Sequence, residues 1–135
     1  MSARPPIIIS TMDLHRLEKL FEDQPANSFA GMAELEAELV RAQLVEPAAI
    51  PADVVSMNSS VRFSVDGQEY VRTLVYPAAL NDTDQQISVM APVGSALLGM
   101  REGSSIDWPR HGGGSMNVNI DQIIYQPERE GQFHR

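Results

Sequence analysis

Glu22 and Asp23 are the side chains with the most pointed chemical potential, two adjacent acids at the end of a helical pattern. A carboxylate pair at the end of a helical hairpin can hold Mg²⁺ at a partner's active site, because hard cations take oxygen ligands and polarise phosphoryl oxygens. The plainer reading, two solvated residues at a helix end where water screens a mildly unfavourable dipole, carries more weight. Glu34, Glu36 and Glu38 read in the same way as a solvated helix face. The three histidines, His15, His111 and His134, offer no i, i+4 pair for a helical metal site and read as structural or solvated. None of Ser59, Ser60, Ser88 and Ser95 sits in a Gly-x-Ser-x-Gly elbow. Gly112-Gly113-Gly114 lacks the Gly-Lys-Ser/Thr ending of a phosphate loop and precedes a strand pattern, so it reads as a hairpin turn. No catalytic set, cofactor site or metal site is expected, and Met57, Met90, Met100 and Met116 read as packing residues.

Composition narrows the class of partner. The chain carries a net charge of −8, with nine acids against four bases in residues 1–53 and nine against six thereafter. Lys19 is the only lysine and the arginines are dispersed, whereas phosphate neutralisation needs clustered cations. Direct nucleic-acid binding is therefore disfavoured and a protein partner with a basic surface favoured. The absence of cysteine removes disulfides and thiolate chemistry. Ile7, Ile8 and Ile9 form the longest apolar run near the start, far short of the ~20 residues that span a bilayer. A cytoplasmic protein without membrane contact is expected, and a monomer is its simplest form.

The elements that must position these residues follow from periodicity and punctuation. Pro5-Pro6-Ile7-Ile8-Ile9 reads as an extended lead-in. Ser10 or Thr11 can cap a helix, with Asp13 in a capping-box-like position and Leu14, Leu17, Leu20 and Phe21 at helical spacing. Gln24-Pro25-Ala26-Asn27 ends it. A second helix is predicted from about Met32 to Leu44, with Met32, Leu35, Leu39 and Ala42 on one stripe. The two stripes can bury against each other in an antiparallel helical hairpin. Pro47 and Pro51 make residues 46–53 the natural linker. Beyond it, Val61, Phe63 and Val65 alternate, Asp66-Gly67 marks a turn, and Tyr70 to Tyr76 is rich in β-formers, which together predict a β-hairpin. Ile87, Val89 and Met90 suggest a third strand. Pro92 to Gly99 is punctuated as a short helix, and Ile106 to Trp108, then Met116, Val118, Ile120 and Ile123 to Tyr125, complete the sheet. From Pro127 the chain is polar and expected to fray.

The expected organisation is α+β: a short N-terminal antiparallel helical hairpin, a coiled coil, over residues 1–45, a linker over 46–53, an antiparallel β-sheet domain with one short helix over 54–127, and a polar tail over 128–135.

Three stretches carry a resemblance. They are Asp53-Val54-Val55-Ser56-Met57-Asn58-Ser59-Ser60-Val61, Arg72-Thr73-Leu74-Val75-Tyr76-Pro77, and Ile87 through Pro92-Val93-Gly94-Ser95-Ala96-Leu97-Leu98-Gly99. In order and spacing they resemble the C-terminal domain of the Gre transcription factors and of the related regulators of nucleoside diphosphate kinase. The Arg4-Pro5 start and Ile124-Tyr125-Gln126-Pro127-Glu128 resemble the latter branch, so the likeness runs over almost the whole chain. The resemblance implies an FKBP-like α+β domain bound to the rim of the RNA polymerase secondary channel, with the helical hairpin entering the channel. It assigns Pro92, Val93, Gly94 and Ser95 to the polymerase-docking loop; helix capping and core closure are their structural roles, and the two can coexist. The hairpin tip would comprise Glu22, Asp23, Asn27 and Phe29. The Gly-Asp-Leu-Ser-Glu-Asn motif of the cleavage factors is absent, since Gln24-Pro25-Ala26-Asn27-Ser28-Phe29-Ala30-Gly31 stands in its place. Polymerase-core binding without transcript cleavage, competition with Gre factors and an indirect influence on nucleoside diphosphate kinase level are what this implies. Two other readings stand beside it: direct binding to the kinase, and FKBP-like peptidyl-prolyl isomerisation, against which the scattered aromatics give no obvious aromatic-lined pocket.

Overall fold

The computed structural model describes residues 7–22, 32–82, 84–109 and 114–131. Asp66 and Gly67 both have positive φ, 50° and 91°, the two-residue turn that matches the twist of the strands it joins. It connects Ser60–Val65 (β3) to Gln68–Val75 (β4) in antiparallel register, Val65 opposite Gln68 and Ser60 opposite Thr73. Asp66 pins this turn to the last strand: its N–H donates to the Asn117 carbonyl, and its carboxylate accepts from the Asn117 N–H, each at 2.9 Å.

Ser105–Pro109 (β6) and the long Ser115–Tyr125 (β7) complete a five-stranded sheet together with Gln86–Ser88 (β5). The order is β5-β4-β3-β7-β6, so the β3–β4 hairpin lies inside the sheet, between β5 and β7. The expectation of an antiparallel sheet is corrected here. β5 runs parallel to β4, with Thr73 opposite Gln86, and the sheet is mixed. Parallel pairing needs a crossover rather than a tight turn. The chain supplies it through a 3₁₀ turn at Pro77–Ala79 and a loop held by Gln86, whose side-chain oxygen accepts from the Asn81 and Asp82 N–H groups.

Ahead of the sheet, Thr11–Glu22 (α1) and Met32–Arg41 (α2) are flanked by two short strands, Ile8–Ser10 (β1) and Gln43–Val45 (β2). These pair in parallel, Ile8 opposite Gln43. The second helix thus ends at Arg41 rather than near Leu44. The Gln43 N–H is taken up by the Ile7 carbonyl at 3.0 Å, and a strand ladder replaces the last helical turn. Ser10 caps α1 as expected, its hydroxyl accepting from the Asp13 N–H at 3.0 Å.

The helical stripes do not close on one another alone. Leu17, Leu35 and Leu39 join Val61, Phe63, Leu74, Trp108 and Ile120 in one continuous core, to which Pro92–Leu97 (α3) adds Ala96 and Leu97. Trp108, Phe63 and Leu97 are almost wholly buried, and each such side chain contributes roughly 1.5–3 kcal/mol by leaving water. At the other end of the chain, Glu128 is buried and accepts from the Ser56 hydroxyl at 2.6 Å, so the chain at this residue is docked, not frayed.

Candidate functional site

α3 starts on a tightly specified turn. The Ala91 N–H donates to the Ser88 carbonyl at 3.0 Å, the Ser95 N–H to the Ala91 carbonyl at 2.9 Å, and the Ser95 hydroxyl to the Val89 carbonyl at 2.6 Å. Gly94 approaches the backbone so closely that a Cβ there would stand 2.0 Å from the Ser88 oxygen. Pro92 occupies the first helical turn, where its missing N–H costs nothing. Of the docking residues expected from sequence, Gly94 and Ser95 are buried and shape the turn, whereas Val93 is half-buried and reaches a surface groove.

That groove has a volume of about 330 Å³. Phe63, Tyr70, Leu80, Ile87, Ala91 and Val93 line it, and Arg72 stands at its side. The periodicity of β3 and β4 puts Phe63, Tyr70 and Arg72 on the core-facing side of the sheet. Phe63 forms the buried floor of the groove, and the half-buried Tyr70 and Arg72 reach its open side. Phe63 and Tyr70 are cross-strand neighbours whose rings stack at 5.7 Å and 24°. The Arg72 guanidinium lies over Tyr70, 5.4 Å from the ring centre. The expectation that no aromatic-lined pocket exists is thereby corrected: two aromatics far apart in type pattern become neighbours through strand register.

The acids at the helical end are less informative. Glu22 is exposed at the end of α1, and Asp23, Asn27 and Phe29 lie outside the described residues, as do His111 and His134. His15 is exposed on α1. Among the described residues, no group of three His, Asp or Glu side chains could hold a metal ion. Glu38 departs from the solvated face assigned to it. It is 5% exposed, and its carboxylate accepts from the Arg41 side chain one turn on, with Nε at 2.8 Å.

A second polar cluster was missed altogether. Asp13 is 2% exposed, with one carboxylate oxygen accepting from the Met57 N–H at 3.2 Å and the other from the Tyr76 hydroxyl at 3.3 Å. Burial pushes its pKa up to about 6, partly offset by the Met57 hydrogen bond and reinforced by the charge of Glu128. Burial, then the charge on Asp13, raises the Tyr76 hydroxyl as well. Beside them the Ser56 and Ser59 hydroxyls meet at 3.1 Å, next to Glu128. Gln126, fully buried, donates to the Pro51 and Val54 carbonyls at 2.7 and 2.6 Å. The signal that could have found Asp13 is its place four residues before Leu17, an acid within the apolar stripe.

These features define a class. Residues 50–125 match the family described as transcription elongation factor, GreA/GreB, C-term, and residues 5–45 match the Rnk N-terminus. The chain belongs to the GreA/GreB family. Among its relatives, the regulator of nucleoside diphosphate kinase of Escherichia coli (strain K12) is 48% identical over 134 residues, 97% of this chain and 98% of that protein. Transcription elongation factor GreA of Helicobacter hepaticus is 38% identical over 101 residues, 72% of this chain and 60% of that longer protein. A solved prokaryotic transcription elongation factor GreA/GreB from Nitrosomonas europaea superposes with a TM-score of 0.72 at 48% identity, covering 90% of this chain and all of the other.

Proposed function

We propose that this protein is an RNA polymerase-binding transcription regulator that docks at the rim of the secondary channel through the groove beside Val93. It competes there with Gre factors without stimulating transcript cleavage. The observation that carries this reading is an apolar groove built around the helix start that the family resemblance assigns to docking: Val93 points to it, while Gly94 and Ser95 fix the turn. In this reading residues 1–45 form the short helical hairpin that approaches the channel, 46–53 the linker and 54–127 the FKBP-like docking domain. α1 has 12 residues and α2 has 10, which at 1.5 Å per residue gives arms of only ~15–18 Å. With that reach and no Gly-Asp-Leu-Ser-Glu-Asn motif, Glu22 and Asp23 stop short of the polymerase's metal centre.

The protein acts in the cytoplasm as a monomer, without a cofactor and without direct nucleic-acid contact. No described helix is long and apolar enough to cross a membrane. The name of the Escherichia coli relative supports a link to nucleoside diphosphate kinase, which a transcriptional route supplies without a second interface. Fluorescence anisotropy with purified polymerase core tests the proposal. Saturable binding is expected, displaced by a Gre factor and lost in Val93→Asp, and stalled complexes are expected to remain uncleaved. Absence of binding at micromolar polymerase, or restored transcript growth, would overturn it.

A further inference from the structure

Among the described residues, Arg72 is the one charged side chain lining a mostly apolar groove that also carries Gln86 and Ser88, on a chain of net charge −8. Its guanidinium donates one N–H to the Val71 carbonyl at 2.8 Å and rests on the Tyr70 ring, which is itself stacked on Phe63. The cation is thus positioned by the sheet. No carboxylate among the described residues pairs with it, although Arg101 and Arg41 both have acidic partners. A guanidinium has five N–H donors in a planar fork, and the Val71 carbonyl takes one of them beside the groove that Arg72 lines. A lone cation beside apolar surface is a poor anchor for a phosphate backbone, which calls for several cations, and a good one for a single carboxylate next to an apolar side chain.

We infer that Arg72 selects the occupant of the groove: a protein segment that places an apolar side chain against Tyr70, Leu80 and Val93 and a carboxylate on the Arg72 fork. This rests on the docking proposal, with the segment belonging to RNA polymerase. Arg72 then sets orientation and register, since the apolar contact alone is tolerant of rotation and the forked pair is not.

Binding to nucleic-acid-free polymerase core, measured for wild type, Arg72→Lys, Arg72→Gln, Arg72→Glu and Val93→Asp, separates the two layers of the argument. Arg72→Gln is expected to weaken binding about tenfold and Arg72→Glu further, with Arg72→Lys between wild type and Gln because it keeps charge but loses the fork. Raising salt from about 50 to about 300 mM is expected to weaken wild type more than Arg72→Gln. Thermal melts of each variant control for folding, which this half-exposed position should leave intact. If Val93→Asp loses binding while Arg72→Gln and Arg72→Glu bind like wild type, the groove docks but the carboxylate assignment is wrong. If Val93→Asp also binds normally, the docking proposal itself falls. An Arg72 effect that appears only when RNA or DNA is added assigns the cation to phosphate and overturns the inference.

Discussion

The buried polar seam around Asp13, Ser56 and Gln126 and the groove beside α3 are built on opposite principles. At the seam, buried polar atoms are joined by directed bonds: Asp13 to Met57 and Tyr76, Ser56 to Glu128, Gln126 to Pro51 and Val54. In the groove, apolar surface stays open beside one cation, which donates to the Val71 carbonyl. A permanent internal contact gains orientation from hydrogen bonds, because each broken one leaves a costly unsatisfied group. A surface meant for an external partner gains from apolar area and a single specific charge, which stay tolerable in water until covered.

The largest expected effect breaks the groove from beneath. Gly94→Ala puts a methyl where the Ser88 carbonyl oxygen stands, so β5 or the start of α3 must shift. A loss of about 3 kcal/mol in urea unfolding is expected, in the upper range for single substitutions, with polymerase binding lost in parallel. Unchanged stability would show that the turn yields more easily than its hydrogen bonds suggest.

A smaller effect tests the seam. Asp13 holds its proton up to about pH 6 when folded, whereas an ordinary aspartate releases it near 3.8. The folded state therefore binds more protons between those values, and the Asp13 contribution is full below about pH 4 and lost as pH rises through about 6. Asp13→Asn, neutral throughout, removes this dependence. Relative to that variant, wild type should lose on the order of 2 kcal/mol between acid and neutral pH, measured by urea unfolding at both. Parallel profiles would show Asp13 to be ionised and satisfied across the range.

The smallest effect is expected where an ion pair is exposed. Arg101 reaches Asp53 at 3.0 Å with both side chains about half in water, 47% and 48% exposed. Arg101→Ala should cost less than about 0.5 kcal/mol in the same assay, so that the buried seam and not the surface charge holds residues 46–53 in place.

Legibility in the sequence followed the range of the interaction. The Asp66-Gly67 turn, the alternation of β3 and the Pro92-to-Gly99 punctuation are local signals, and the elements they predict are present. The parallel strand β5, the β1–β2 pair and the burial of Asp13, Glu38 and Glu128 depend on partners far along the chain. For Glu38 the helical period placed it off the stripe, but a second surface covered that side. The groove was half legible: resemblance named Val93, yet Phe63, Tyr70 and Arg72 come together only through strand register.

The pairing of Ile8 with Gln43 has a consequence for how such proteins can vary. It makes the chain leave and rejoin the body at adjacent positions, while Leu17, Leu35 and Leu39 pack the two helices between them onto the core. Lengthening the connection between α1 and α2 leaves the sheet and groove untouched, at an entropic cost of only about 0.6 kcal/mol per doubling of a flexible loop. The extent of the helical segment can thus vary while its attachment stays constant.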